Sequence, residues 1–409
     1  MKRSHLRLLG LGLVLLFLAE GRDAPAAPND KKLVYEGRTL SEWVERALMK
    51  EYGSTDFRAA VIALVKLDRE AVLSQILKAV ESSDANRRLR AIALICSFKT
   101  KSKAAVPALI KALNDEDNKV RASAAIALGR FGSKAEAAVP PLTNALKDKN
   151  VRLRVYAASA LARIDPNQAP AMVVYLRQVF KEGDSHARYY VAHALGDIRV
   201  KEAMAPLIEA TKDKEVDVRA AAVSSLGKFI PESESAVPAL IHALSDETAD
   251  VRQKAADALG HLGPGAKAAV GPLAEALIDE DERVRWTVAS ALGAIGRAAK
   301  RAERPLTAAL KDENPMVCVQ AACALARINP EMTGAMVTRL LRALQDEDPS
   351  VRFSAVGALG TFGPKAEAAV GPLTKALKDP DALVRSTAAF ALKQIDPKAA
   401  RRAGIKDGD

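Results

Sequence analysis

Hydrophobic and polar positions in this chain follow a long repeat, in which two short amphipathic segments are joined by an acidic turn. The stretch at 104–131 shows the pattern, with its turn at 114–119. Apolar residues recur there at intervals of three and four, the spacing that places side chains on one face of an α-helix. Pro107 lies in the first turn of the first segment, where a missing backbone N–H costs little. We therefore predict two helices, with buried faces formed by Val106, Leu109, Ile110 and Leu113 and by Val120, Ala124, Ala127, Leu128 and Phe131.

One arginine position recurs at intervals of 31 to 34 residues wherever neighbouring repeats both carry it. In the one gap, Cys318 takes the place of the arginine and keeps the spacing. A fixed period of this length is typical of helix pairs that stack side by side, each contacting its neighbours. We predict an all-α fold, a right-handed α-solenoid of about eleven stacked helix pairs. The recurring arginines are Arg58, Arg90, Arg121, Arg154, Arg188, Arg219, Arg252, Arg285, Arg352 and Arg385.

An aspartate precedes this arginine position by six residues in most repeats. A carboxylate in the turn and a guanidinium at the start of the second helix can reach each other and the turns of adjacent repeats. We predict a ladder of such hydrogen bonds, and a row of arginines that binds anions is the alternative. In the ninth repeat, Cys318 is expected to leave Asp312 without its usual partner. The predicted ladder consists of Asp84, Arg90, Asp115, Arg121, Asp148, Arg154, Asp213, Arg219, Asp246, Arg252, Asp279, Arg285, Asp346, Arg352, Asp379 and Arg385.

Two further patterns concern packing. A small residue lies eight positions after the arginine, where we expect neighbouring backbones to approach closely. At the amino-terminal end of the repeats, Thr39 and Glu42 have the spacing of a capping box, and Trp43 is expected to cover the exposed end of the stack. The small residues are Gly129, Ala162, Gly196, Gly227, Gly260, Gly293, Ala326 and Gly360.

The first residues resemble a secretory signal peptide, with a basic start, an apolar run from Leu8 to Ala19 and small residues after it. The apolar run is too short to span a bilayer, and cleavage fits either 19–21 or 24–26. We expect an exported protein, periplasmic or secreted, with no transmembrane anchor after cleavage. The expected domains are a signal peptide at 1–26, a linker at 27–38, the repeats at 39–397 and a basic tail at 398–409.

Charge and cysteine content narrow the class of protein. The chain has a net charge of +11, and loss of residues 1–26 would remove four basic and two acidic residues and leave +9. Outside the cytoplasm, a basic protein suits anionic envelope polymers, lipid headgroups or acidic proteins, and we expect no nucleic-acid partner. Cys96, Cys318 and Cys323 lack the spacing of a disulfide framework or a metal motif, and we interpret them as packing residues.

The recurring residues resemble the HEAT repeat, in particular its bilin-lyase-like subtype. The pattern Val-Pro-x-Leu-x-x-Ala-Leu-x-Asp precedes Val-Arg-x-x-Ala-Ala-x-Ala-Leu-Gly over residues 39 to 397. The stretch from Tyr35 to Trp43 is similar to the start of secreted bacterial HEAT proteins, planctomycete-like ones in particular. The resemblance implies a monomer in which the second helices line the concave side of the stack. It also implies a scaffold for other macromolecules.

HEAT-like proteins also include enzymes, so the resemblance leaves a second class of function open. Deoxyhypusine hydroxylases of this fold bind two irons through His-Glu pairs, whereas no histidine of this chain is followed by glutamate. Phycobilin lyases share the repeat, but nothing here marks a bilin pocket beyond the repeat itself. We expect no catalytic residue, metal or cofactor, and we interpret the chain as a non-enzymatic scaffold or protein-interaction module. An enzyme of the lyase or hydroxylase branch is the alternative, and a mechanical spacer without a discrete site is a third interpretation.

Tyrosine is concentrated in the fourth and fifth repeats, which hold four of the six tyrosines. The fifth repeat also lacks the usual aspartate. Aromatic side chains with polar tips are favoured at binding surfaces because they bury much area with little loss of rotamer freedom. An irregular joint between repeats, filled by these rings, is the structural alternative. The candidate residues for binding a protein or peptide are Tyr156, Arg163, Arg188, Tyr190 and His193.

A second irregular stretch lies at 296–304, between the eighth and ninth repeats. It concentrates Arg297, Lys300, Arg301 and Arg304. Short basic stretches on repeat loops keep a protein soluble, and a solvated linker is one interpretation. Contact with an anionic envelope polymer is the other.

Overall fold

The computed structural model describes residues 34–49, 54–97, 103–229 and 233–405. The expected signal peptide lies outside the described residues, as does the side chain of Arg58. The chain divides into two compact bodies, an N-terminal body that ends at Gly183 and a C-terminal body that begins at Asp184. Among the helices of the described part, none has the length and apolar character needed to cross a membrane.

The N-terminal body opens with a short antiparallel ribbon, in which Val34 pairs with Thr39 and Tyr35 with Arg38. Helices follow in alternation as the first and second members of each repeat. The elements are β1 Val34–Tyr35, β2 Arg38–Thr39, α1 Leu40–Met49, α2 Thr55–Lys66, α3 Arg69–Val80, α4 Ala85–Ser97, α5 Val106–Ala112, α6 Asn118–Phe131, α7 Val139–Ala145, α8 Val151–Ile164 and α9 Ala169–Glu182.

The C-terminal body continues the alternation and starts on a second helix. A short helix at its end extends the helical structure into the stretch taken as a basic tail. The elements are α10 Ser185–Ile198, α11 Met204–Ala210, α12 Val216–Leu226, α13 Val237–Ala243, α14 Ala249–Leu262, α15 Val270–Glu275, α16 Glu282–Ile295, α17 Glu303–Ala309, α18 Pro315–Ile328, α19 Thr333–Ala343, α20 Pro349–Thr361, α21 Val370–Ala376, α22 Ala382–Ile395 and α23 Pro397–Arg402.

The prediction of an all-α solenoid of helix pairs is confirmed for the described residues, with four pairs from α1 to α8 in the N-terminal body and six from α11 to α22 in the C-terminal body. Within each body, consecutive second helices pack against one another, as α6 does on α8 and α16 on α18. The repeat at 106–131 buries Val106, Leu109, Leu128 and Phe131 as predicted, with exposures of 4% or less. Alanine fills most remaining buried positions of the second helices, which brings their axes close together.

Two kinds of connection from a second helix to the next first helix occur more than once in the described residues. Four repeats use a seven-residue 3-10 segment that starts on a glycine with positive φ, at 132–138, 263–269, 296–302 and 363–369. After α8 and α18 the chain instead extends at Asp165 and Asn329, each followed by proline, and a longer first helix begins. These longer helices reach back to the preceding repeat of the same body, where Tyr175 Oη donates to Leu146 O at 3.0 Å and Arg339 donates to Leu310 O.

The amino-terminal cap forms as predicted. The Thr39 backbone N–H donates to Glu42 Oε2 at 2.7 Å, and the Glu42 N–H donates to Thr39 Oγ1 at 3.3 Å. Trp43 is 2% exposed and its indole N–H donates to Tyr35 O at 2.9 Å, so its one polar atom is satisfied. The guanidinium of Arg38 lies 5.0 Å from the Trp43 ring and covers its face.

The repeats are joined by a ladder of arginines. Arg252 shows the geometry: Nη1 donates to the carbonyl oxygens of Asp246 and Glu247 at 3.0 and 3.3 Å, inside its own turn. Its other edge binds Asp279 of the next repeat, with Nε to Oδ2 at 2.7 Å and Nη2 to Oδ1 at 2.8 Å. Asp279 Oδ1 also accepts the Asp281 N–H at 2.9 Å, which fixes the carboxylate. The same contacts join Arg88 to Asp115, Arg219 to Asp246, Arg285 to Asp312 and Arg352 to Asp379.

These ion pairs are largely withdrawn from water. Burial raises the pKa of Asp246, but hydrogen bonds from Arg219 and from the Thr248 N–H outweigh it and hold that pKa below its ordinary value. The hydrogen bond from Arg352 lowers the pKa of Asp379 in the same way. Both carboxylates are therefore ionised at neutral pH, which a ladder of guanidinium groups requires.

The observed ladder differs from the predicted one in direction. In the regular repeats, the arginine six residues after an aspartate binds the backbone carbonyl of that aspartate, whereas the carboxylate is bound by the arginine of the preceding repeat. Asp312 consequently has its partner in Arg285, with Nε to Oδ2 at 2.8 Å, so the expectation that Cys318 leaves it unpaired is wrong. Because Cys318 replaces the ladder arginine of the ninth repeat, the carboxylate of Asp346 in the tenth repeat has no ladder arginine. Cys318 Sγ donates to Asp312 O at 3.3 Å, the carbonyl that a ladder arginine would bind.

The second repeat also departs from the prediction, because its ladder arginine is Arg88 and not Arg90. Arg88 donates to the carbonyls six and five residues before it at 2.9 and 3.0 Å, and Nη2 donates to Asp115 Oδ1 at 2.8 Å. Arg90 donates to Leu48 O at 2.7 Å, and Asp84 accepts the N–H of Asn86 at 3.0 Å. Three arginines within four residues made the register ambiguous in the sequence.

At two ladder positions, the contact between the arginine and a carboxylate of the next repeat is long or missing. Arg121 lies 3.5 Å from Asp148, nearer to Asn118 Oδ1 than to the carboxylate. Arg154 donates to the carbonyls of Asp148 and Lys149 at 2.9 and 3.3 Å, but Lys181 takes the position 27 residues later where other repeats place the aspartate. The fifth repeat therefore lacks the aspartate that would bind Arg154.

Glycine eight residues after the ladder position is a steric requirement, as predicted. A β-carbon added at Gly293 would lie 2.9 Å from Ala324 Cα and 3.1 Å from Ala324 Cβ. At Gly196 it would lie 2.4 Å from Ser225 Oγ. Real β-carbons do not approach backbone atoms this closely, so a side chain here would push neighbouring second helices apart.

We predict opposite effects for two Gly→Ala changes inside second helices. Gly293→Ala is expected to lower the melting temperature, because its methyl group meets the backbone of α18. Gly357→Ala in α20 meets nothing within 4 Å and should stabilise by about 0.5–1 kcal/mol through helix propensity. Thermal unfolding by circular dichroism measures both, and equal gains would contradict the close approach.

We also predict that Asp279→Asn destabilises the protein by about 2 kcal/mol, since the buried Arg252 guanidinium loses its buried carboxylate partner and keeps only the exposed Glu280 at 3.2 Å. Asp346→Asn is the matched control. Asp346 accepts the same backbone hydrogen bond, from Asp348 N–H at 3.0 Å, but has no ladder arginine, so we expect less than 0.5 kcal/mol, about the size of an ordinary surface substitution. Urea unfolding gives both values, and similar losses would show that the ladder pairs add little stability.

Candidate binding surface on helix α10

Helix α10 begins the C-terminal body and carries most of the candidate residues. Asp184 caps its start, and its carboxylate accepts the Ala187 N–H at 2.8 Å. Spacings of three and four residues then place Tyr190 and His193, and Tyr189 and His193, next to each other on the helix surface. The helix ends at Ile198, and Arg199 turns the chain with φ of 56°.

Three rings of α10 form a contiguous group, which we call the aromatic cluster: Tyr189, Tyr190 and His193. The Tyr189 ring lies edge-on to His193, with centroids 4.6 Å apart, and edge-on to Tyr190 at 5.6 Å. All three side chains are half-buried, so each presents part of its surface to solvent. Edge-to-face contacts of this kind hold rings in fixed orientations.

Charged groups border the aromatic cluster on the following repeats. Lys228 Nζ donates to Asp197 Oδ1 at 3.0 Å, and Lys254 Nζ donates to Asp250 Oδ2 at 2.5 Å. Burial lowers the pKa of His193, and the charges of Lys228 and Lys254 lower it further against the opposing effect of Asp197. His193 is therefore neutral at physiological pH, a ring with one nitrogen donor and one acceptor.

Arg188 belongs to the ladder and not to the exposed surface. Its Nε donates to Asp213 Oδ2 at 2.6 Å and its Nη2 to Asp213 Oδ1 at 3.0 Å, and its side chain is 14% exposed. The hydrogen bonds that Arg188 donates to Asp213 raise the pKa of Arg188. Arg188 therefore joins two repeats as a ladder residue, because the Nε and Nη2 edge of its guanidinium is occupied by Asp213.

Tyr156 and Arg163 lie in the N-terminal body, on α8. Seven residues separate them, which places both on one face of this helix two turns apart. Tyr156 is half-buried against the N-terminal core, and the Arg152 guanidinium lies 5.9 Å from its ring. In the C-terminal body, the rings of Tyr190 and His193 both contact the ring of Tyr189.

The sequence reasoning did not select Tyr189 as a candidate, although it makes both ring contacts of the aromatic cluster. Its spacing of four residues from His193 was the available signal. The other second helices of the C-terminal body carry no comparable group. At the three equivalent positions, α12 has Ala220, Ala221 and Ser224, α14 has Gln253, Lys254 and Asp257, and α16 has Trp286, Thr287 and Ser290.

The cysteines have the character of packing residues. Cys323 is 8% exposed, and burial raises the pKa of its thiol to about 11. Burial also raises the pKa of Cys96 and of Cys318. Within the described ranges, no three His, Cys, Asp or Glu side chains come together in an arrangement that could hold a metal ion.

Comparison with known families gives one match, to HEAT repeats, over residues 71–162, 106–185, 173–260, 237–304 and 303–393. These overlapping matches cover most of the chain. No curated protein matches the sequence.

Solved structures with a similar arrangement share little sequence with the chain. An engineered protein is 23% identical over 79% of this chain and 98% of its own, with a TM-score of 0.38. The karyopherin Kap121p bound to the extreme C-terminus of the protein phosphatase Cdc14p is 13% identical over 89% of this chain and 46% of its own, with a TM-score of 0.44. The complex of CpcE and CpcF of phycocyanin lyase from Nostoc sp. PCC7120 is 24% identical over 74% and 94%, with a TM-score of 0.35. The chain thus spans about half the length of the karyopherin.

We predict that His193 makes the protein less stable on mild acidification. Its pKa is lowered in the folded state, so the unfolded state binds the proton more readily and stability falls as pH drops through the ordinary histidine value of 6.5. Denaturant unfolding at pH 7.5 and 5.5 measures the difference. In His193→Gln this slope should largely disappear, and a slope unchanged by that substitution would contradict the assignment.

Proposed function

We propose, since the chain belongs to the HEAT-repeat family, that it is a non-enzymatic interaction module that binds a protein or peptide partner. The observation that carries the proposal is the aromatic cluster on α10. It places three half-buried rings on one stretch of surface, where the next two second helices, α12 and α14, carry small or polar residues. We propose this surface as the binding site.

The physical features of the aromatic cluster suit recognition. Rings that are already held edge-to-face lose little freedom when a partner covers them, which favours their use as energetic anchors. The neutral His193 and the tyrosine hydroxyls supply hydrogen-bonding groups beside apolar ring faces. Lys228, Asp197 and Lys254 form a charged border, which matches the usual anatomy of an apolar centre with a polar rim.

Export remains part of the proposal. The basic start and the apolar run ending at Ala19 support a periplasmic or secreted location. Mass spectrometry of the protein recovered from the producing cell would test it. A mature chain that begins near residue 20 or 27 agrees with export, and an intact amino terminus in the cytoplasm contradicts it.

The binding site is tested with a random peptide library displayed on phage and selected on the full chain. We expect an enriched peptide whose affinity falls about 30-fold on Tyr190→Ser, since truncating an anchor of this kind costs about 2 kcal/mol. Tyr189→Ser should have a similar effect, because it removes the ring that holds Tyr190 and His193 in place. Fluorescence anisotropy of the labelled peptide gives the affinities.

Phe390→Ser is the matched control, since Phe390 is a 41% exposed aromatic residue on second helix α22 of the same body. Its substitution should leave the affinity unchanged if the site is the aromatic cluster. Equal losses for Phe390 and Tyr190 would indicate nonspecific adhesion to rings and contradict the proposal. A stoichiometric metal or an absorbing chromophore in the protein purified from its native cell would favour the enzymatic alternative instead.

A further inference from the structure

A strongly basic stretch lies on the C-terminal body, away from the residues of the aromatic cluster in sequence. We call it the basic segment: Arg297, Lys300, Arg301 and Arg304. Its backbone is a 3-10 segment, Gly296–Ala302, that leads into α17. Ala299 and Ala302 point inward and are fully buried, whereas all four basic side chains are exposed. The cations are therefore displayed from a backbone that packing holds in place.

The same backbone occurs in three other repeats with different surface residues. Comparing the four segments shows which residues this backbone conformation requires. Glycine with positive φ and two buried alanines recur in all four segments. The exposed positions vary freely, and the other repeats do not concentrate charge there. The position of Arg297 holds Ser133, Pro264 or Pro364, that of Lys300 holds Glu136, Lys267 or Glu367, that of Arg301 holds Ala137, Ala268 or Ala368, and that of Arg304 holds Pro140, Gly271 or Gly371.

The other three segments fold with at most one of these cations, Lys267, so the repeat does not require the set of four. They also differ from the ladder arginines in their bonding. Each ladder arginine of the C-terminal body up to Arg352 binds a carboxylate, whereas none of the four residues of the basic segment forms an ion pair within the described residues. Their charge is available to a partner.

The surroundings add to the positive charge. Lys267, on the adjacent 3-10 segment, is exposed. Helix α18 packs against the segment, and Arg327 in its last turn is exposed. Glu275, Glu282 and Glu303 are the acidic residues of the elements packed around it.

We propose that the basic segment binds a linear polyanion with closely spaced phosphate or sulfate groups. Three of its four cations are arginines, whose planar fork matches the oxygens of these groups in pairs. The segment spans about 12 Å, long enough for several consecutive anionic groups. A single exposed ion pair contributes little, so a polymer that engages all four cations together is favoured over a small anion.

The composition of the segment argues against a membrane as its target. Peripheral membrane segments combine basic residues with large apolar side chains that enter the headgroup region. Between residues 296 and 304 the only apolar residues are alanines, and no large hydrophobic side chain is exposed there. The proposed partner is accordingly a soluble or surface-anchored polymer.

Binding of the full chain to long-chain inorganic polyphosphate and to heparin, measured at several salt concentrations, tests the proposal and distinguishes phosphate from sulfate. The variant replaces Arg297, Lys300, Arg301 and Arg304 by Gln. We expect its affinity in 50 mM salt to fall about 100-fold, and the slope of log affinity against log salt to decrease by about 3, as four lost anion contacts require. Its melting temperature should not change, since the other repeats lack these charges.

The matched control replaces four exposed lysines of the same body, Lys212, Lys214, Lys311 and Lys378, by Gln, so the net charge changes equally. It should bind like the wild type. Equal weakening of both variants would show that net charge alone drives binding, and would overturn the proposal. So would a wild type that binds neither polymer, or one that binds only vesicles containing phosphatidylglycerol.

Discussion

The structure depends on a guanidinium group that serves two repeats at once. One edge of the ladder arginine holds the carbonyls of its own interhelix turn, and the other binds the carboxylate of the next repeat. That carboxylate in turn accepts a backbone N–H that starts the second helix. Turn geometry and repeat spacing are therefore coupled through the same pair of side chains. Because the charges are largely buried, loss of one partner costs far more than loss of an exposed pair.

The second constraint is the close approach of neighbouring second helices. Glycine and alanine at the contact let the backbones of α16 and α18 come within van der Waals distance, and no larger residue fits there. The ladder fixes the spacing at the turn end of each second helix, and the small residues fix it further along. Between them, these two contacts leave the exposed faces of the helices free to vary without loss of the fold. This freedom is what allows function to be added to individual repeats.

Most of the fold could be predicted from the sequence, because period, proline, glycine and buried stripe agree with one another. The direction of the ladder could not, since an arginine six residues after an aspartate can reach either its carbonyl or a carboxylate elsewhere. Only the three-dimensional stacking shows that the carboxylate belongs to the preceding arginine, as with Arg285 and Asp312. Arg88 was missed because Arg90 fits the interval almost as well. The part played by Tyr189 could not be predicted either, because its edge-on contact with His193 depends on side-chain rotamers.

In a repeat protein the residues that the fold requires can be identified by comparing the repeats with each other, and the remainder carries the information about function. The ladder, the buried alanines and the small residues at the helix contact recur in most repeats because they hold neighbouring repeats together. Tyr189, Tyr190 and His193 do not recur, and neither do the four cations of the basic segment, although the same backbone is present several times. Arg188 is an example. It binds Asp213 as a ladder arginine, as in other repeats, whereas the pair formed by its neighbours Tyr189 and Tyr190 on α10 occurs only in this repeat. Some residues differ from the repeat pattern although their backbone has the same conformation as in the other repeats. The stability of the fold does not explain why these residues are present.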